Sequence, residues 1–84
     1  MSENINLSNE SNGLELLERL SPREREIITM VAQGMSNQNI GQKLFISDKT
    51  VKNYVTSIRR KLGLENRIQI ALYAIKCGLV NLDN

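Results

Sequence analysis

The chain has no histidine, no tryptophan, one cysteine and one proline in 84 residues. Cys77 is the only cysteine, so no disulfide can form within the chain. A lone thiol without histidine offers no set of zinc ligands either. The same absences argue against an enzyme. There is no imidazole to serve as general base, no Gly-rich phosphate loop, no pair of carboxylates in a plausible cleft and no serine set beside a base. Cys77 falls near a helix C-terminus, the wrong end for thiolate activation, and reads as a small buried residue. No catalytic residue, no metal and no cofactor is therefore expected. Long hydrophobic runs are missing as well. No stretch approaches the roughly 20 apolar residues needed to span a bilayer. The opening MSENINLSNESNG lacks the basic and apolar regions of a signal peptide. The expectation is a cytoplasmic protein with no membrane partner, in a reducing compartment that suits a single cysteine.

What is present is uneven charge. The net charge is only +2. Residues 1–21 carry Glu3, Glu10, Glu15 and Glu18 against Arg19, whereas residues 36–64 carry Lys43, Lys49, Lys52, Arg59, Arg60 and Lys61 against Asp48, a local net of +5. A basic segment of this kind suits a polyanionic partner. A solvated basic helix face is an equal reading on charge alone.

The chain reads as all-α and as one domain, with a core thin enough to depend on close helix packing or on a second subunit. Residues 1–13 form a polar tail, and the domain occupies 14–84. Leu14, Leu16, Leu17 and Leu20 predict a short lead-in helix. Ser21-Pro22-Arg23-Glu24 is a capping box with proline at the first helical position. Ile27, Ile28, Met30 and Val31 follow on one face, and Gly34 stops the helix. Ser36 caps a second helix with Ile40, Gly41 and Leu44 inward. Gly41 costs about 1 kcal/mol relative to alanine, which fits either the close approach of another helix or simple tolerance. After the tight connection Phe45-Ile46, Ser47 caps a third helix over 48–62. Its apolar stripe is Val51, Tyr54, Val55, Ile58 and Leu62. Asn66 caps a fourth helix over 67–77.

Opposite the third helix's stripe lie Lys49, Lys52, Asn53, Thr56, Arg59 and Arg60. That face has four cations and no acid, where a merely solvated helix would mix signs at i, i+4. Lys52, Asn53 and Thr56 have the size and chemistry to enter a major groove. Lysine can donate to guanine, and asparagine can bond an adenine edge bidentately. Arg59, Arg60 and Lys61 suit phosphates. Readers of single-stranded RNA stack bases on exposed aromatics, but here the aromatics are Phe45, Tyr54 and Tyr73 only, and Tyr54 lies on the apolar stripe. Double-stranded DNA is the favoured partner. The fourth helix carries two apolar faces, Ile68, Leu72 and Ile75 on one and Ile70, Tyr73, Ala74 and Cys77 on the other. One face can enter the core. The other needs cover, from the lead-in helix or, as favoured here, from a second copy in a homodimer.

These residues resemble the LuxR-type (GerE-type) helix-turn-helix domain, found in small stand-alone spore regulators and at the C-terminus of NarL/FixJ response regulators. The matching stretches are LSPREREI (Leu20–Ile27), Gly34-Met35-Ser36-Asn37, Ile40, LFIS (Leu44–Ser47), KTVKNYV (Lys49–Val55), RKLGL (Arg60–Leu64) and NRIQIALYA (Asn66–Ala74). The resemblance implies a four-helix fold whose third helix is the recognition helix, in a sequence-specific transcriptional regulator. It also implies base contacts from Lys49, Lys52, Asn53 and Thr56, phosphate contacts from Thr50 and Lys61, and a dimer face of Ile68, Leu72 and Ile75. Asn37 and Ser47 complete the expected phosphate-contacting set with Arg59 and Arg60. The chain departs from the family at Gln38, Asn39 and Gly41, where lysine, glutamate and alanine are commoner. Losing the glutamate weakens the second helix's cap. Met1 followed by a polar tail fits a stand-alone regulator, with an excised C-terminal domain as the alternative. A different class, an RNA polymerase-associated module resembling sigma factor region 4, would share the helix-turn-helix but end soon after the recognition helix. The helix from Asn66 to Cys77 argues against it.

Overall fold

The computed structural model describes residues 17–80. The expected tail, 1–13, lies outside the described residues, as do Leu14 and Leu16 of the lead-in and residues 81–84. Four helices and no strand occur among the described residues: α1 (Pro22–Ala32), α2 (Asn37–Leu44), α3 (Asp48–Leu62) and α4 (Arg67–Lys76). The all-α architecture is the one expected.

Each helix begins where the sequence supplies a short polar side chain to accept an otherwise orphaned N–H. The caps are Ser21, Ser36, Ser47 and Asn66. At Ser21 the box is reciprocal. Glu24 N–H donates to Ser21 Oγ at 3.1 Å, and Ser21 N–H donates to Glu24 Oε1 at 2.8 Å. At Ser36, with Asn39 in the glutamate's place, the cap is the single bond from Asn39 N–H at 3.1 Å. Gly63 ends α3 in the left-handed region at φ 69°, where its N–H closes back on the Arg59 and Arg60 carbonyls.

The core is aliphatic. Ile27, Ile28, Ile40, Val51, Ile58 and Ile70 are fully buried, with Leu17, Leu20, Val31, Val55, Leu62 and Ala74 around them. α1 packs across α3 and α4, while α2 lies against α3. The burial of Leu17 and Leu20 docks the end of the lead-in onto this core.

The α2–α3 turn explains Gly41. A Cβ at that position would lie 2.5 Å from the Ile46 carbonyl oxygen and 3.3 Å from the Ser47 carbonyl carbon. The neighbour is therefore the backbone entering α3, and close approach rather than tolerance accounts for the glycine. Within the turn Phe45 adopts φ 61° and ψ 42°, a left-handed conformation unusual for a side-chain-bearing residue. The residue is 94% exposed, between the half-buried Leu44 and Ile46.

The two apolar faces of α4 separate as a small core demands. Ile70 and Ala74 are buried, whereas Ile68 and Leu72 remain 71% and 55% exposed and Ile75 is half-buried.

Candidate nucleic-acid interface

Seating Val51, Val55, Ile58 and Leu62 in the core turns the opposite face of α3 outward. Lys49, Lys52, Asn53 and Arg60 are exposed there, and Thr56 and Arg59 are partly exposed. Among the described residues, no ion pair involves Lys49, Lys52 or Arg60; the pairs are Arg23–Glu26 at 3.5 Å and Lys61–Glu24 at 2.9 Å. Lys49 and Lys52 sit in the first turns of α3, where the helix dipole disfavours positive charge. Asp48 offsets this only in part. Two ammonium groups without an ion-pair partner at the positive end of a helix do not stabilise that helix.

The N-terminal ends of α2 and α3 meet at one surface. Asn37 at the start of α2 and Asp48, Lys49 and Lys52 at the start of α3 line an open cleft of about 350 Å³. Ser47 Oγ accepts the Thr50 N–H at 3.0 Å and donates its own proton to Thr50 Oγ1 at 2.9 Å. The Thr50 hydroxyl hydrogen is thereby left for another acceptor. Arg59 Nη1 donates to the Glu65 carbonyl at 3.0 Å, which draws it toward the end of α3.

Lys61 is not wholly solvent-directed. Its ammonium donates to Glu24 Oε1 at 2.9 Å, while Ser57 Oγ donates to Glu24 Oε2 at 3.2 Å. Glu24 is 4% exposed. Burial opposes its charge, but the Ser21 N–H, the Lys61 ammonium and the Ser57 hydroxyl outweigh burial and hold the carboxyl below its ordinary value. An ammonium has three donors, so this pairing leaves Lys61 two for an outside partner.

The local sequence pattern indicates only a cap for Glu24 and no role for Arg67. Arg67 Nη1 donates to Asn37 Oδ1 at 2.6 Å, and Nη2 donates to the Met35 carbonyl at 2.6 Å. One signal was available: a cation at the first position of a helix is out of place against the dipole.

No helix among the described residues is long and apolar enough to cross a membrane. Among those residues, no group of three or more His, Cys, Asp or Glu side chains could hold a metal ion.

The family described as bacterial regulatory proteins, luxR family, matches residues 18–74, from the end of the lead-in through most of α4. The transcriptional regulatory protein LiaR of Bacillus subtilis (strain 168) is 47% identical over 64 residues, covering 76% of this chain and 30% of LiaR. The DNA-binding transcriptional activator DevR/DosR of Mycobacterium tuberculosis (strain ATCC 25618 / H37Rv) is 40% identical over 58 residues, covering 69% of this chain and 27% of that protein. The chain thus spans less than a third of either regulator. Among solved structures, the transcription factor GerE matches with a TM-score of 0.67 and 38% identity, over 76% of this chain and 96% of GerE. The match takes in α4, the helix that separates this reading from a sigma-like module. The chain belongs to the luxR family of bacterial regulatory proteins, a family of DNA-binding transcription regulators and not of enzymes.

Proposed function

We propose that this domain is a sequence-specific transcriptional regulator that reads the major groove of double-stranded DNA with α3 and dimerises through α4. The observation that carries the reading is the α3 face itself, where Lys49, Lys52 and Asn53 stand exposed without acidic partners. A major groove is about 12 Å wide and admits one helix. With α3 in that groove, Lys49, Lys52, Asn53 and Thr56 face base edges. Asn37, Ser47, Thr50, Arg59, Arg60 and Lys61 are the donors proposed for the flanking phosphates. Phosphate contacts set register and orientation, and base contacts set sequence. The exposed Ile68 and Leu72, with Ile75, supply a self-complementary patch for a two-fold partner.

Lys52→Ala and Asn53→Ala test the division of labour. Each variant loses about 1–3 kcal/mol of affinity for a duplex selected by the unsubstituted protein and little for mixed-sequence DNA. Fluorescence anisotropy on both duplexes measures the difference. Equal losses on the two would remove these residues as base readers.

A further inference from the structure

Arg67 opens α4, where its charge works against the helix dipole. No acidic residue lies in that first turn to offset it. The guanidinium instead crosses to the α1–α2 turn and grips it on both sides of the Ser36 cap, holding the Met35 carbonyl and the Asn37 carboxamide at 2.6 Å each. A guanidinium has donors only, so Asn37 must turn its oxygen toward Arg67. The Asn37 NH2 is left without a hydrogen-bond partner among the described residues. Asn37 also lines the cleft that holds Lys49 and Lys52.

We propose that Arg67 is a positioning residue for DNA binding, which fixes the Asn37 amide so that its NH2 is presented to a phosphate at the mouth of the cleft between α2 and α3. The proposal rests on the DNA-binding reading above. It assigns Arg67 no contact with DNA. The contact is made by a neutral donor, oriented from behind by a charge the backbone phosphates do not touch. Arg67 also adjoins Ile68, so a single side chain ties the start of the proposed dimer helix to the DNA-facing end of α2.

The test is a double-mutant cycle of Arg67→Met and Asn37→Ala in the full chain. Affinity is measured by anisotropy on a fluorescein-labelled, mixed-sequence duplex about two helical turns long, across a salt series. Each single variant binds about tenfold more weakly, the effect of one hydrogen bond to a charged acceptor. The double variant is no weaker than either, because with Asn37 gone there is nothing left to orient. The slope of log affinity against log salt is the same in all four proteins, since neither residue releases a counterion. Losses that multiply to about 100-fold would overturn the proposal by making Arg67 a general staple of the fold. A slope shallower by about one in Arg67→Met would overturn it by placing the guanidinium on a phosphate. Arg67→Lys keeps the charge but not the fork. It replaces Arg67→Met if the latter does not fold, and its loss must likewise vanish in the Asn37→Ala background. Multiplying losses with binding retained contradict this proposal alone. No binding of the duplex by the unsubstituted chain at low salt contradicts the DNA-binding reading as well.

Discussion

Glu24 joins two roles that usually fall to different residues. Its backbone N–H and carboxylate close the cap of α1, and the same carboxylate reaches α3 through Ser57 and Lys61. It is nearly fully buried, so its charge depends on those partners. The folded-state pKa is lowered from the ordinary 4.5. The stabilisation it brings is therefore complete above the unfolded value and is lost as pH falls through the lower folded value. Glu24→Gln should lower stability at neutral pH by about 1–2 kcal/mol. Urea unfolding from neutral pH down through the carboxylate range should show the gap to the unsubstituted protein closing with acid. A gap independent of pH would mean that the carboxylate's charge contributes nothing. Phe45 is a residue-scale feature of another kind. Its left-handed backbone follows from the turn, which needs Leu44 and Ile46 partly inside and leaves the intervening side chain outside.

At the scale of elements, much was legible because caps and periodicity are local. Ser21, Ser36, Ser47 and Asn66 each cap a helix where the sequence places them, and Val51, Val55, Ile58 and Leu62 of the α3 stripe are buried, with Tyr54 at its edge half-buried. Gly41 stays ambiguous in the sequence, because the backbone that lies across it belongs to residues 46–48, several positions further along the chain. The bonds that sequence could not supply join residues far apart. Arg67 meets Asn37 across 30 residues, and Lys61 meets Glu24 across 37. No local rule selects those partners; packing does. The four cations opposite the apolar stripe of α3 are legible as a face, but the division of Lys61 between Glu24 and solvent is not. The weakened cap of α2 makes a prediction at this scale. Asn39 is exposed, and its N–H already donates to Ser36. Asn39→Glu adds the return bond to the Ser36 N–H and a negative charge in the first turn, which should raise stability by about 0.5–1 kcal/mol. The midpoint of urea unfolding measures it, and an unchanged midpoint would show that the missing glutamate costs α2 nothing.

For the molecule as a whole, the question is what covers α4. The core takes Ile70 and Ala74 and leaves Ile68 and Leu72 in solvent, a costly arrangement for a small domain unless a second copy meets them. A two-fold pair of recognition helices would then engage half-sites about one helical turn apart. Ile68→Glu or Leu72→Glu should weaken binding to paired half-sites about tenfold or more while changing a single half-site little. Both positions are exposed, so the fold should survive either change. Equal affinity of the variant and the unsubstituted chain for the paired site would rule out this face.

Whether a dimer reads DNA sequence through α3 is decided by selecting bound duplexes from a random pool at near-physiological salt and sequencing them. A motif with two-fold symmetry and half-sites about one turn apart should be enriched. Enrichment of an unpaired half-site would contradict the dimer, and no enrichment by folded protein would contradict sequence-specific reading itself.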